Sequence, residues 1–351
     1  MPLLRASWIQ EREQRWPRRL ALAPLLPLGW LVGGAASLHR ALYERGLLQR
    51  RGLAAHVISV GNLVAGGAGK TPLAAWIAQG LAARGHRVVL ASRGYGRSDR
   101  GAVRVVSDGR QLSPSLARLG DEPVLLAGQL PGVPVMVGRD RGLVGLRALA
   151  AHGAEVLVLD DGFQHHRLAR DVDLVCFDGA FGLGSAAVMP RGPLREFPGV
   201  LRRADAIAVI DGPLRAPDRQ RVTGLAPEAR WLQATRHPVS VVPLGGGPAL
   251  PLTALEGQRL GMLAGIGLPA AFRRSLEALG VGVVAERIFP DHHRYRARDL
   301  VGLARGARRW ITTEKDALKI LPRWAGEAEV LVLRSGLRVD APEDVLDWLA
   351  P

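Results

Sequence analysis

From residue 55 onward, short runs of Val, Leu and Ile alternate with longer stretches in which apolar residues return at helical spacing. The short runs predict strands over 56–60, 87–91, 103–106, 134–137, 155–160, 172–177 and 206–210. The longer stretches predict helices over 72–84, 120–129 and 141–152. Strands alternating with helices are the pattern of a parallel sheet covered on both faces. A second strand–helix set follows at 240–243, 259–264, 270–279, 281–285, 297–307, 309–312, 329–333 and 342–350. Between the sets, residues 212–238 are polar, carry Pro213, Pro217 and Pro227, and read as a linker. The expected organisation is a segment 1–50, a core domain 51–215 and a smaller α/β domain 216–351. No internal repeat or low-complexity tract interrupts it.

Before this alternation begins, residues 20–38 run without a charge, about the length that crosses a bilayer. Pro24 and Pro27 break the first half of the run, and Gly29, Gly33 and Gly34 weaken the second. Both flanks are basic, with Arg18 and Arg19 before and Arg40, Arg45, Arg50 and Arg51 after, whereas a spanning helix carries its positive bias on one side. Residues 1–50 therefore read as a membrane-surface anchor rather than a span, the alternative being an apolar helix packed on the core domain.

Composition narrows the partners. The chain has 351 residues and a net charge of +15, and only three of its 47 basic residues are lysines: Lys70, Lys315 and Lys319. An arginine excess of this size suits phosphate or an acidic membrane, because the guanidinium fork binds two oxygens at once. Aromatic residues are 5% and do not interleave with the arginines, which argues against nucleic acid. Cys176 is the one cysteine, so no internal disulfide forms and a reducing compartment fits.

The chemistry starts at Val57-Ile58-Ser59-Val60, a strand that enters Gly61-Asn62-Leu63-Val64-Ala65-Gly66-Gly67-Ala68-Gly69-Lys70-Thr71 and then a helix. Strand, glycine loop, Lys-Thr and helix form a P-loop. Backbone N–H groups of Gly66, Gly67, Ala68 and Gly69 would wrap a polyphosphate, Lys70 would reach its β- and γ-phosphates, and Thr71 would bind Mg²⁺. The usual first glycine is Val64 here. This variant looks like that of ATPases which partition and target membrane cargo, although their signature lysine is Ala65 in this chain.

Other clusters fall just after strands, where ligands sit on parallel sheets. Val156-Leu157-Val158-Leu159 ends in Asp160-Asp161, and either carboxylate is a candidate for Mg²⁺. Ser92 to Arg97 follows 87–91, and Gly138-Arg139-Asp140-Arg141 follows 134–137. Arg191-Gly192-Pro193-Leu194-Arg195-Glu196 offers two arginines and a carboxylate to an anion or a second Mg²⁺ contact. Asp121, in Gly120-Asp121-Glu122-Pro123, reads on its own as a helix N-cap. Asp291-His292-His293 and His165-His166 invite a metal or a general-base reading, but neither matches a tight zinc spacing.

Taken in order, these motifs resemble one family, the tetraacyldisaccharide 4′-kinases of lipid A synthesis. The resemblance rests on Val60-Gly61-Asn62, Gly66 through Pro72, Ser92-Arg93-Gly94-Tyr95-Gly96, Gly120-Asp121-Glu122-Pro123, Asp160 through His165, and Pro190 through Glu196. It continues in Leu263 through Gly267, Phe289-Pro290-Asp291-His292 and Thr312 through Ala317. The resemblance implies a P-loop NTPase-like, mostly parallel α/β sheet with a second, smaller α/β domain and an N-terminal membrane-associated helix. It implies ATP- and Mg²⁺-dependent phosphorylation of the 4′-hydroxyl of a tetraacyldisaccharide 1-phosphate, giving lipid IVA. It implies a monotopic enzyme on the cytoplasmic face of the bacterial inner membrane; no nucleic acid is expected as a partner, and no obligate protein partner is inferred.

It also implies roles. Asp121 becomes the base for the hydroxyl, replacing the cap, and His292 pairs with it; His293 is the poorer candidate. Lys70, Thr71, Asp160 or Asp161, and Glu196 match the nucleotide and Mg²⁺ positions. Arg93, Gln164, His165 and Arg195 match contacts to ATP or the anionic substrate. The competing reading is a membrane-associated P-loop ATPase of switch or partition type, which hydrolyses ATP and phosphorylates no lipid. A phosphoesterase built on the histidines is a third reading and leaves the P-loop without a purpose.

Overall fold

The computed structural model describes residues 21–94, 101–113, 119–267, 269–290 and 293–351. Two compact units divide it: residues up to Thr235 together with Leu337–Pro351, and Arg236–Gly336.

In the first unit, β1 (His56–Asn62) lies between β5 (Val156–Asp160) and β6 (Val172–Asp178), parallel to both. With β2 (Val88–Ser92), β3 (Val103–Ser107), β4 (Val135–Gly138), β7 (Ala206–Ile210) and β8 (Arg230–Pro243), the order is β8-β7-β6-β1-β5-β2-β4-β3. β3 pairs antiparallel with β4, and the other described pairs in this order are parallel. Every residue of β2, β4, β5 and β7 is buried, as expected of strands covered on both faces.

One face carries the P-loop helix (Lys70–Ala83) and the C-terminal helix (Pro342–Leu349), whose Leu346 lies over Gly80. Arg141–His152 packs on the other face through Val144 and Ala148. Its N-cap is Asp140, whose carboxylate accepts from the Gly142 and Leu143 amides. Strand and helix periodicity thus predict these elements correctly.

The 212–238 linker reading does not hold. Ala216–Leu225 is helical, and β8 begins at Arg230 and pairs with β7, with Val222, Leu232 and Ala234 buried. One buried residue in a ten-residue helix is too few to stand out against the prolines and arginines around it. Consequently the first unit continues to Thr235, not to residue 215, and it also takes back the last fifteen residues that sequence reading assigned to the second domain.

The prolines and glycines of the charge-free run also behave otherwise than expected. A single helix spans Leu26–Glu44, with Pro27 in its first turn, where the missing N–H costs nothing. It runs on through Gly33 and Gly34. No described helix is long and apolar enough to cross a membrane. Residues 1–20 of the expected anchor lie outside the described residues.

In the second unit β9 (Arg259–Ala264), β10 (Gly282–Ile288), β11 (Arg309–Thr313) and β12 (Glu329–Val339) pair in the order β10-β9-β11-β12, parallel throughout. Helix Pro269–Ala278 buries Phe272 and Leu276. The predicted helix over 297–307 is two single turns, Ala297–Leu300 and Leu303–Gly306, broken where Gly302 takes φ +75°.

Candidate active site

The first unit gathers its chemistry at the carboxyl ends of β1, β2, β4 and β5, the position at which open parallel sheets bind ligands. Beyond β1 the glycine loop turns into the helix at Gly69, which holds φ +75°. A Cβ there would also lie 2.8 Å from Ile210 Cγ1. Gly66 and Gly67 are exposed, and Ala68 is buried. Lys70 is the first helical residue and Thr71 the second, so both stand at the positive end of the helix dipole.

The two adjacent aspartates part company. Asp160 ends β5 and is buried, with its carboxylate oxygens 3.1 and 3.4 Å from the Thr71 hydroxyl and one of them 3.4 Å from Ser92 Oγ. Asp161 leaves the strand at φ +56°, in the left-handed region that Asp tolerates better than most residues. That turn sends its carboxylate to Arg195, 2.7 Å away. Burial pushes the Asp160 carboxyl up to about 6; Lys70 and Thr71 draw it down, while Asp161 and Glu122 push it up. The influence of Glu122 brings the start of helix Asp121–Gln129 to the same locality.

Asp121 is the first residue of that helix, and Gly120, at φ +94°, takes the cap position. The N-cap reading of Asp121 is therefore set aside on backbone grounds. Its side chain lies outside what is described, as does His292.

The Pro/Gly-rich loop runs beside the P-loop. Ala65 N donates to Pro193 O, and Arg195 N to Leu63 O, at 2.8 and 2.9 Å. Arg195 also donates to Gln164 Oε1 at 3.2 Å, and Gln164 donates to Asn62 O at 3.0 Å. Asp161, Gln164 and Arg195 thus form one network at the loop entrance. Arg93 is exposed just past β2. Glu196 is buried elsewhere, with Arg40 Nη1 3.9 Å from its carboxylate. Burial raises its pKa, opposed by Arg203, Arg40 and Gln164. Neither Asp161 nor Glu196 shares a hydrogen bond or ion pair with Thr71 or Asp160 among the described residues.

His165 and His166 do not form a metal site with other ligands: no group of three or more His, Cys, Asp or Glu side chains is poised for a metal among the described residues. His166 Nδ1 sits 2.9 Å from Arg203. Burial, then Arg203, drives the His166 pKa down to about 3; burial, then Arg141, drives that of His165 to about 4. Both rings are therefore neutral in the fold at pH 7. Between the ordinary value of 6.5 and these lowered values the unfolded chain binds more protons, so each histidine costs stability as pH falls below 6.5. The expected result is a loss of urea midpoint from pH 7.5 to pH 5 that is smaller in His166→Gln than in the parent chain.

Sequence reading missed particular roles. Asn62 donates to Val64 O and Gly66 O and pins the start of the glycine loop. Buried Arg141 donates to Gly138 O and Asp160 O at 2.5 and 3.3 Å, tying the ends of β4 and β5 together. Position after a strand was the available signal for Ser92 and Arg141; their partners were not legible.

In the second unit the Gly265 amide donates to buried Asp316 at 2.9 Å, and the Thr313 hydroxyl donates to the same carboxylate at 3.0 Å. His293 stacks on Phe289 with ring centroids 4.4 Å apart and pairs with Asp299 at 3.0 Å. The chain on both sides of His292 is therefore anchored, and His293 is committed within its own unit.

The model of the family described as tetraacyldisaccharide-1-P 4′-kinase, LpxK, matches residues 21–350. The chain belongs to this family. It is 43% identical to the tetraacyldisaccharide 4′-kinase of Anaeromyxobacter dehalogenans, over 98% of this chain and 93% of that one. It is 43% identical to that of Dechloromonas aromatica, over 95% and 94%. Among solved structures, the family member from Aquifex aeolicus, crystallised in complex with ATP, has a TM-score of 0.77 and 30% identity, covering 93% of this chain and 98% of that one. The family resemblance carried by the motifs thus holds across nearly the whole chain, and the mixed α/β, mostly parallel sheet agrees with it.

Proposed function

We propose that this protein is the lipid A 4′-kinase of its organism, transferring the γ-phosphoryl group of ATP to the 4′-hydroxyl of tetraacyldisaccharide 1-phosphate to give lipid IVA. The observation that carries this is the joining of Lys70, Thr71 and Asp160 at the end of β1 and β5 behind a glycine loop, in a chain of the kinase family.

Lys70 and the loop amides neutralise and orient the transferring phosphoryl group. Thr71 and Asp160 would hold Mg²⁺. An all-oxygen pair is its preferred chemistry, and Mg²⁺ commonly takes only one or two carboxylates, completing its shell with phosphates and water. When bound, the ion screens the β- and γ-phosphate charge. Asp121 would take the proton of the 4′-hydroxyl, and His292 is the histidine assigned to the same reaction. Gln164 and Arg195 line the entrance for the anionic substrate, and Arg93 and His165 extend that basic border. Trp30 and Leu31, 71% and 69% exposed on the N-terminal helix, support docking on the cytoplasmic surface of the inner membrane.

The test is transfer of labelled γ-phosphate from ATP to tetraacyldisaccharide 1-phosphate in detergent micelles. Labelled lipid is expected; ATP hydrolysis without labelled lipid returns the switch-ATPase reading. Within the same assay, Asp160→Asn is expected to raise the Mg²⁺ concentration for half-maximal rate about tenfold. Asp161→Asn, whose partner is Arg195, should leave it within about twofold. The reverse order would assign the metal to Asp161.

A further inference from the structure

The helix Leu26–Glu44, α1 for brevity, is seated on the first unit by its smallest residues. Gly29 and Gly33 are buried, and a Cβ on them would come within 3.0 Å of Val188 O and 2.6 Å of the Phe197 ring. The seat is thus formed by the residues that flank the 191–196 loop. On the same docked side, nearer the C-terminus, the rings of His39 and Tyr43 meet buried His166, with centroids 5.8 and 6.3 Å apart. Beside them Arg40 reaches inward, held by Glu44 at 3.3 Å and standing 3.9 Å from Glu196.

Glu196 is 2% exposed, and neither of its oxygens has a hydrogen-bond partner; Gln164 lies alongside but not at hydrogen-bonding geometry. A carboxylate taken from water in this way needs a cation, since burial of an unpaired charge is costly. Two arginines answer the need: Arg203, whose charge acts on Glu196 most strongly, and Arg40 of α1, which makes the described ion pair. Glu196 is joined in sequence to Arg195, which holds Asp161 and Gln164, and Gln164 holds Asn62 at the foot of the glycine loop. A continuous set of contacts therefore runs from the surface helix to the nucleotide loop.

We propose that Arg40 is a positioning residue of the kinase reaction, acting through Glu196, so that the seating of α1 is part of what orders the site. This rests on the reading of the site as a kinase centre in which Glu196 takes part. The apolar face of α1 then does more than hold the protein at a lipid surface: a helix displaced from its seat withdraws one of the two arginines that offset the charge of Glu196.

The experiment compares Arg40→Ala, Arg40→Lys, Glu196→Gln and the double variant Arg40→Ala/Glu196→Gln. It reads kcat and KM for lipid in micelles, retention on vesicles of phosphatidylethanolamine and phosphatidylglycerol, and amide exchange over residues 36–44 without nucleotide or metal. Arg40→Ala is expected to lower kcat about tenfold, with KM for lipid and vesicle retention within about twofold, and Arg40→Lys to recover most of the loss. The double variant should be no slower than Glu196→Gln alone, the mark of two residues acting as one. Exchange over 36–44 should rise in Glu196→Gln as it does in Arg40→Ala.

Independent, multiplicative losses in the double variant would overturn the proposal, as would a rise in KM for lipid at unchanged kcat, which makes Arg40 a lipid contact. A Glu196→Gln enzyme with full kcat would show that Glu196 takes no part; raised exchange would then leave the pair purely structural, and the proposal falls. Failure of the kinase reading itself would be separate and visible: the parent chain would yield no labelled lipid.

Discussion

Replacing Lys70 by Ala is expected to lower the rate of phosphoryl transfer to lipid by about 10²–10³. Lys70 opens the P-loop helix immediately after Gly69, and its charge acts on buried Asp160. On the proposed reading its ammonium stands where charge gathers on the γ-phosphate. Losing a fixed cation at that point removes stabilisation that water cannot replace, because the loop and Asp160 are already arranged for it. The fold should survive, since the position is half-buried at the start of a helix and Ala is a good helix former. The measurement is labelled-lipid formation by the purified variant, with its urea midpoint alongside. A rate within about threefold of the parent enzyme, at equal stability, would remove Lys70 from the phosphoryl site.

Asp121→Asn is expected to lower kcat by about 10²–10⁴, the range for loss of a positioned general base. Asn keeps the size of the side chain and cannot take up the proton of the 4′-hydroxyl. Because Gly120 holds the cap position, the substitution removes no N-cap, and the urea midpoint should move little. KM for ATP should also hold, because on the proposed reading the base acts on the acceptor hydroxyl and not on the nucleotide. A large stability loss with kcat preserved would give Asp121 a structural role.

The contrast between Asp160 and Asp161 shows how far residue order reaches. The apolar run ending in two acids announces a metal-side carboxylate at the end of β5. Which acid meets Thr71 depends on the +56° backbone turn at Asp161 and on Arg195, thirty-four residues away. Periodicity says nothing about either. The same holds for residues 216–235. Their strand joins the first sheet because β7 stands ready to pair with β8, and a solvent-facing helix with Val222 as its one buried residue has almost no apolar stripe to announce it. Gly29 and Gly33 were read as weak points of a helix. In the fold their lack of a side chain lets the helix approach Val188 and Phe197, and helix length and packing outweigh local propensity.

By itself, then, the amino-acid order determined the parallel α/β class, the strand-to-helix glycine loop with Lys70 and Thr71, the acids at the end of β5 and membership of the kinase family. These are properties of short segments: a run of β-branched residues, the conformational freedom of glycine, the dipole of one helix. Tertiary structure decided that Asp160 and not Asp161 meets Thr71, that Gly120 caps the helix Asp121 begins, that the chain end returns to the first unit, and that Arg40 answers the charge of Glu196. Apart from the Gly120 cap, each of these joins residues far apart in the chain, and the free energy that selects them comes from burial and charge pairing. Those terms exist only once the sheet has brought the segments together.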